Sequence, residues 1–323
     1  MRNRHRGLNL LEACGTLGLY KLGRALMAEM DNCIGNTGLQ DRVVIVTGAG
    51  KGIGRAACLH LARRGAKVLV NNRRHPGELD AQTSAAQLAA LIRSEGGVAQ
   101  VNYDDVSDPD AGQHMVQQAL KEWGRLDMVY ANAAIAQDAA FHALDLSQLR
   151  SIIDAGLLGT LSLFHAAWPI FRQQKFGRAL ASTSSAGRFG NHGLTAYAAS
   201  KGAIESLIRS LAIEGNKYGI FCNALSPYAF SQMTQAHLPE AWAKVLTPES
   251  LAPAIAWLLS PDCQLNGQVL VAGGGRYARS WPVETPAVVG ENLVEMWQRL
   301  SILDGQVHAD SVSAFNCFMQ DKA

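Results

Sequence analysis

The 323 residues, 48% hydrophobic and 17% charged, suffice for one large α/β domain or two modest ones and are too apolar for a disordered chain. A formal net charge of +2, with the densest basic cluster confined to residues 2–6, leaves no nucleic-acid footprint, and no apolar run reaches the roughly eighteen residues a membrane span needs. Six cysteines without a CxxC pair and nine histidines without HxxxH or HExxH spacing argue against a disulfide framework or a metal centre, so free thiols and no metal are expected.

Residues 1–40 carry Leu8, Leu11, Leu19, Leu22 and Leu26 at helical spacing and end in a Gly35-Asn36 turn, which predicts an N-terminal helical extension. Glu12 and Gly15 interrupt what would be a signal-peptide core behind the basic head. A cytoplasmic location is the expectation, with organellar import an open alternative. From residue 41 the pattern changes. Residues 42–47 (RVVIVT) form a β-branched run suited to a strand buried on both faces. It leads into Gly48-Ala49-Gly50-Lys51-Gly52-Ile53-Gly54, a helix over 55–64 and a second strand at 67–71. Strand, glycine turn, helix, strand is the unit in which backbone N–H groups and a helix N-terminus receive a dinucleotide pyrophosphate.

The alternation continues with helices over 80–95, 109–123, 147–171, 195–218 and 251–259, and strands over 98–102, 128–131, 179–183, 220–225 and 268–271. About seven strands with short connections predict a single Rossmann-type, doubly wound parallel sheet over 41–275 with helices on both faces. A C-terminal extension, 276–323, would cover the substrate cleft or an oligomer interface. Residues 228–247, a long connection of mixed polarity, read as a mobile lid, with Trp168, Tyr228, Phe230, Met233 and Trp242 near the substrate or in the core.

The chemistry concentrates between Ser184 and Lys201. Tyr197 and Lys201, four residues apart, share a helix face, where an ammonium would stabilise tyrosinate and lower a phenol pKa toward the working range. Ser184, beside a strand end, could hydrogen-bond a substrate oxygen. His192 lies between them and reads either as a ligand contact or as a solvent-exposed loop residue.

The ordered set TGAGKGIG at 47–54, Asp105-Val106, Asn132-Ala133-Ala134, Ser184, Tyr197, Lys201 and Ser226-Pro227 resembles the motifs of the short-chain dehydrogenase/reductase family over residues 41–275. Within it, the strings at 222–227 and 231–234 and the pair Asn266-Gly267 are similar to the (3R)-hydroxyacyl-CoA dehydrogenase unit of peroxisomal multifunctional enzymes. The resemblance implies that Tyr197 is the general acid/base, that Lys201 binds the nicotinamide ribose and lowers the tyrosine pKa, and that Ser184 orients the carbonyl. It implies cofactor contacts at Gly48, Lys51, Gly52, Ile53, Gly54, Asn72, Arg73, Asp105, Val106, Asn132, Tyr197, Lys201 and Pro227. A homodimer or homotetramer paired through the two long helices is also implied.

Three positions depart from that pattern. Gly156 stands where the family usually has an asparagine that holds a relay water, Ala134 where it usually has glycine, and Tyr228 where glycine commonly follows Pro227. At the end of the second strand, Asn71-Asn72-Arg73-Arg74 offers no carboxylate for a ribose 2′-OH but offers arginines, and Lys51 adds a cation. NADP(H) is therefore expected over NAD(H). The expected activity interconverts a ketone and a secondary alcohol on a bulky apolar small molecule. The alternatives are an NAD-dependent (3R)-hydroxyacyl-CoA dehydrogenase, a catalytically weakened nucleotide-binding regulatory or assembly protein, and a non-redox enzyme on the same fold.

Overall fold

A computed structural model describes residues 38–319 except 76, 232–233, 235–238, 291 and 302. The N-terminal helices expected from sequence and the middle of the expected lid lie outside the described residues. The chain divides into two compact units, 1–278 and 279–323.

Strands β1 (Val43–Val46), β2 (Lys67–Asn71), β3 (Val98–Asn102), β4 (Met128–Ala131), β5 (Gly177–Ser182), β6 (Ile220–Pro227), β7 (Val269–Gly273) and β8 (Arg276–Ser280) form an eight-stranded sheet ordered β3-β2-β1-β4-β5-β6-β7-β8. Strands β1 to β7 pair in parallel; Val44, for example, lies between Val68 and Met128. The sequence predicted about seven strands. The eighth, RYARS, is polar and exposed, an edge strand without the apolar signature of the others.

Alternation within β1 assigns its residues to the two faces of the sheet. Val44 and Val46 enter one apolar layer, with α1 (Gly52–Arg63), α2 (Ser84–Ser94) and α8 (Ala252–Leu259). Val43 and Ile45 enter the other, covered by α3 (Ala111–Trp123), α5 (Gly159–Gln174) and α7 (Thr195–Gly215). Expected boundaries shift where caps decide them. The Thr83 hydroxyl accepts from the Ala86 amide at 3.1 Å, so α2 starts at Ser84 and residues 80–82 form a separate 3₁₀ turn. The long helix predicted over 147–171 is α4 (Leu146–Ile153) running through a π turn (Asp154–Leu158) into α5. Its length and apolar character would suffice to cross a membrane, but Leu163, Phe164, Ala167 and Phe171 are buried in the second apolar layer.

The sheet order reverses direction between β1 and β4, so a crevice opens beyond their carboxyl ends. Asp127, immediately before β4, secures that junction. Its fully buried carboxylate accepts from the Val43 amide (2.9 Å), Arg42 (2.8 Å) and Arg125 (2.8 and 2.6 Å). Burial pushes the acid up, but the bonds from Arg125, Val43 and Arg42 outweigh it and hold the carboxyl below its usual range. A depressed folded pKa stabilises above the unfolded value and loses that contribution as pH falls through the folded one. Asp127→Ala is expected to cost about 2–4 kcal/mol. In thermal melts, the advantage of wild type over Asp127→Asn should shrink as pH drops into the carboxyl range.

The second unit holds α9 (Leu293–Leu300), capped by Asn292, and α10 (Ser311–Phe318), started by a capping box between Asp310 and Ser313. Glu284 and Gln306 form an isolated antiparallel bridge within it.

Candidate active site

A cleft of about 780 Å³ lies along the carboxyl ends of the strands. At its centre the glycine turn is locked to β4. Thr47 Oγ1 accepts from the Asn132 and Ala133 amides at 3.1 Å each, and Asn132 Nδ2 donates to the Thr47 and Gly48 carbonyls at 3.2 Å. Gly48 sits at φ +61°, where a Cβ would lie 2.8 Å from Ala133 Cα, so the turn can approach β4 this closely only with glycine. The α1 N-terminus follows with no side-chain cap from Lys51 and no acid in its first turn, leaving amide N–H groups for an anion. Gly48, Lys51, Gly52 and Ile53 line the cleft, whereas Gly54 lies beneath the turn, where a Cβ would be 2.4 Å from the Gly48 carbonyl oxygen. Asn132 also lines the cleft, and its amide is the lock itself.

At one end, Asn71 and Asn72 terminate β2. Asn71 Nδ2 donates to Asn102 Oδ1 (2.7 Å) and the Asp104 carbonyl (2.9 Å), while its buried Oδ1 has no partner among the described residues. That orphaned acceptor, in a cleft with free helix N-terminal amides, fits the donor groups and phosphates of a nicotinamide dinucleotide. Arg73 lines the cleft and pairs with Asp105 at 3.1 Å. Burial opposes ionisation of Asp105, but bonds from Ser107 and Arg73 hold its carboxyl low. Arg74 turns elsewhere, toward Asp80 and over the Tyr103 ring. Val106 and Pro227 complete the set of sequence-predicted contacts in the lining. Ser84 and Thr234 line it too and were not anticipated; Ser84 betrays itself only through the close approach of Asn72 Nδ2 to its hydroxyl, 3.2 Å.

At the other end Ser184, Tyr197 and Lys201 converge. The α7 helix begins at Thr195, so Tyr197 occupies its first turn and Lys201 the next. Lys201 is only 2% exposed, and its ammonium donates to the Ser182 carbonyl at 2.7 Å. Burial lowers its pKa to about 8. Its Nζ stands 5.6 Å from the Tyr197 ring centroid. Burial raises the Tyr197 phenol, against a lowering hydrogen bond with Ser184. The sequence reading expected the lysine to depress this phenol. Here the ammonium is turned to Ser182 and desolvation prevails, leaving a phenol that holds its proton at neutral pH.

Gly156, at the asparagine position, lies in the π turn opposite Ser200, whose buried hydroxyl has no partner among the described residues. A Cβ at 156 would sit 2.5 Å from Ser200 Oγ and 3.6 Å from Ser200 Cβ. Gly156→Asn alone is therefore expected to lower stability by about 1–3 kcal/mol through overpacking. Adding Ser200→Ala should recover most of it in thermal unfolding.

His192 is exposed and outside the cleft lining. Trp168 packs on the second apolar layer. Cys58, Cys222 and Cys263 are free and buried, and burial drives their thiols upward, that of Cys222 to about 12, so none is a ready nucleophile.

Comparison with known proteins gives one family. The short chain dehydrogenase profile matches residues 42–241. A short-chain type dehydrogenase/reductase of Mycobacterium tuberculosis is 42% identical over 75% of this chain and 85% of its own. The mouse peroxisomal multifunctional enzyme type 2 is 40% identical over 72% of this chain, which spans only 32% of that enzyme's length. Among solved structures, a short chain dehydrogenase from Mycobacterium avium superimposes with a TM-score of 0.73 at 29% identity, over 82% of this chain and 95% of its own.

Proposed function

Because the chain belongs to the short-chain dehydrogenase/reductase family, an NAD(P)(H)-binding oxidoreductase family, we propose that it is an NADP(H)-dependent reductase interconverting a ketone and a secondary alcohol on a bulky apolar substrate. The observation that carries this reading is the convergence of Ser184, Tyr197 and Lys201 on a cleft whose far end presents Arg73 and Asn72 where a carboxylate would select NAD(H).

The nucleotide, when bound, supplies or takes the hydride. The protein manages the proton and the geometry. Ser184 donates to the substrate oxygen and holds the carbonyl against Tyr197. Tyr197, protonated at neutral pH, gives its phenolic proton to the oxygen as negative charge develops there, acting as general acid. Lys201 places a cation beneath the tyrosine ring and stabilises the tyrosinate left behind. Ile135, Ala136, Ala155 and Ala229 add apolar walls to the cleft.

A second reading, an NAD-dependent (3R)-hydroxyacyl-CoA dehydrogenase, is favoured by the 40% identity to the mouse multifunctional enzyme. Measuring KM for NADPH and NADH against a panel of apolar ketones and a 3-ketoacyl-CoA separates the two. A clear NADPH preference with ketone turnover supports the proposal; NADH preference with turnover of the thioester alone sinks it. The assembly is a homodimer or homotetramer, supported by exposed Leu146, Leu158, Leu161 and Ile213 on the long helices. A light-scattering mass of one chain overturns that.

A further inference from the structure

We propose that Arg188 and Glu205 are positioning residues for proton transfer, a buried ion pair that ties the backbone segments bearing Ser184, Lys201 and Pro227 into one frame. The idea rests on the proton-transfer roles assigned above, and its test is built so that either can fail alone.

Four segments meet at this pair. The four-residue helix α6 (Ala186–Phe189) lies directly on α7: a Cβ at Gly187 would be 2.6 Å from the Gly202 nitrogen. That closeness brings Arg188 Nη1 to 2.7 Å from Glu205 Oε1, with side chains only 11% and 8% exposed. Arg188 Nη2 donates to Ser226 Oγ at 2.9 Å, on the residue before Pro227. Glu205 stands one helical turn after Lys201. The Thr183 hydroxyl, on the residue before Ser184, lies 3.0 Å from Glu205 Oε1 and 2.9 Å from the Lys201 carbonyl oxygen. One carboxylate and one guanidinium therefore join the ends of β5 and β6 to α6 and α7.

Neither side chain lines the cleft, so neither touches substrate or nucleotide. Stability alone gives little reason for the pair, because a buried ion pair is generally matched by well-packed apolar residues of similar volume. What an apolar pair lacks is direction: the guanidinium reaches two acceptors at once and fixes their separation. Together the charges cancel. Removed singly, each leaves an uncompensated charge in the frame that holds Lys201, one helical turn from Glu205. The groups that face the pair from β5 and β6, Thr183 and Ser226, are uncharged and cannot compensate.

The test compares Glu205→Gln, Arg188→Met, the double variant and Arg188→Lys in the full chain. Glu205→Gln leaves an extra cation and should move the pH midpoint of kcat/KM down; Arg188→Met leaves an extra anion and should move it up, each by roughly half a pH unit or more. The double variant should regain the wild-type midpoint yet lose at least about tenfold in kcat, the scale on which misplaced reacting groups are felt, with nucleotide affinity within about threefold. Arg188→Lys keeps the charge and should keep the midpoint while losing part of kcat. The Lys201 deprotonation midpoint, followed by NMR of ¹⁵N-lysine-labelled protein, should show the same opposed shifts without any substrate. If wild type turns over no ketone, the reaction assignment fails and the NMR titration still judges the pair. Unchanged midpoints and kcat with only a lowered Tm overturn the proposal. Should the single variants fail to fold, the charge-neutral double variant decides: kcat within threefold of wild type overturns the proposal, and a tenfold loss at unchanged nucleotide affinity supports it.

Discussion

Tyr197→Phe is expected to reduce ketone turnover by roughly a hundred- to ten-thousandfold while leaving nucleotide affinity within about threefold. Phenylalanine keeps the ring and its burial, so the cleft keeps its shape; only the transferable proton and its bond to Ser184 are lost. The direction of the Tyr197 shift also sets an asymmetry in pH. Reduction needs the phenol protonated, so its rate should hold at neutral pH and fall as pH rises toward the elevated phenol pKa. Oxidation needs tyrosinate, so its rate should climb over that range. Lys201 works against this at the alkaline side, because its ammonium is lost near pH 8 in the free protein. Anionic phosphates binding in the same cleft would favour the ammonium and push that loss upward. The oxidation profile at saturating nucleotide should therefore extend to higher pH than the profile of kcat/KM measured at limiting nucleotide. A Phe variant retaining wild-type turnover on the same ketone would end the acid/base assignment.

How much of this is legible in the sequence follows physical lines. The parallel sheet is readable because its central strands are buried on both faces, and β1 reads as an unbroken β-branched run for that reason. The glycine turn was readable because close backbone approach leaves one residue type. The YxxxK spacing placed Tyr197 and Lys201 on one face of α7, but it carried no information on which way the ammonium turns. That depends on the Ser182 carbonyl, a backbone group with no residue-specific signature. For the same reason Thr183, Arg188 and Glu205 escaped notice. Their significance lies in contacts across 17 to 38 residues of chain and the folding of α6 onto α7. Gly156 departs from the family pattern in the sequence, yet its consequence appears only with Ser200 opposite it. By sequence, the second-strand end offers two arginines for phosphate. Packing leaves one of them in the cleft, since Arg74 is committed to Asp80 and Tyr103.

That remaining arginine bears the second large expectation. Arg73 is about half exposed and already shares its charge with Asp105, so a 2′-phosphate would have to compete with a carboxylate for the same guanidinium. A charge-assisted bond from Arg73 to phosphate is worth about 1.5–3 kcal/mol, so Arg73→Ala should raise the KM for NADPH about ten- to a hundredfold and leave that for NADH within about twofold. Asp105→Asn acts in the opposite sense. It removes the competing charge while keeping an acceptor for Ser107, and should lower the NADPH KM several-fold. Because the arginine lies near solvent, the NADPH preference should also weaken between low and physiological salt, whereas NADH binding should respond less. Lys51, exposed on the rim of the glycine turn, would account for any preference that survives Arg73→Ala, which Lys51→Ala in the same background would then abolish. An NADPH-to-NADH ratio unmoved by both substitutions would place selection elsewhere, with Asn72 binding an unphosphorylated ribose.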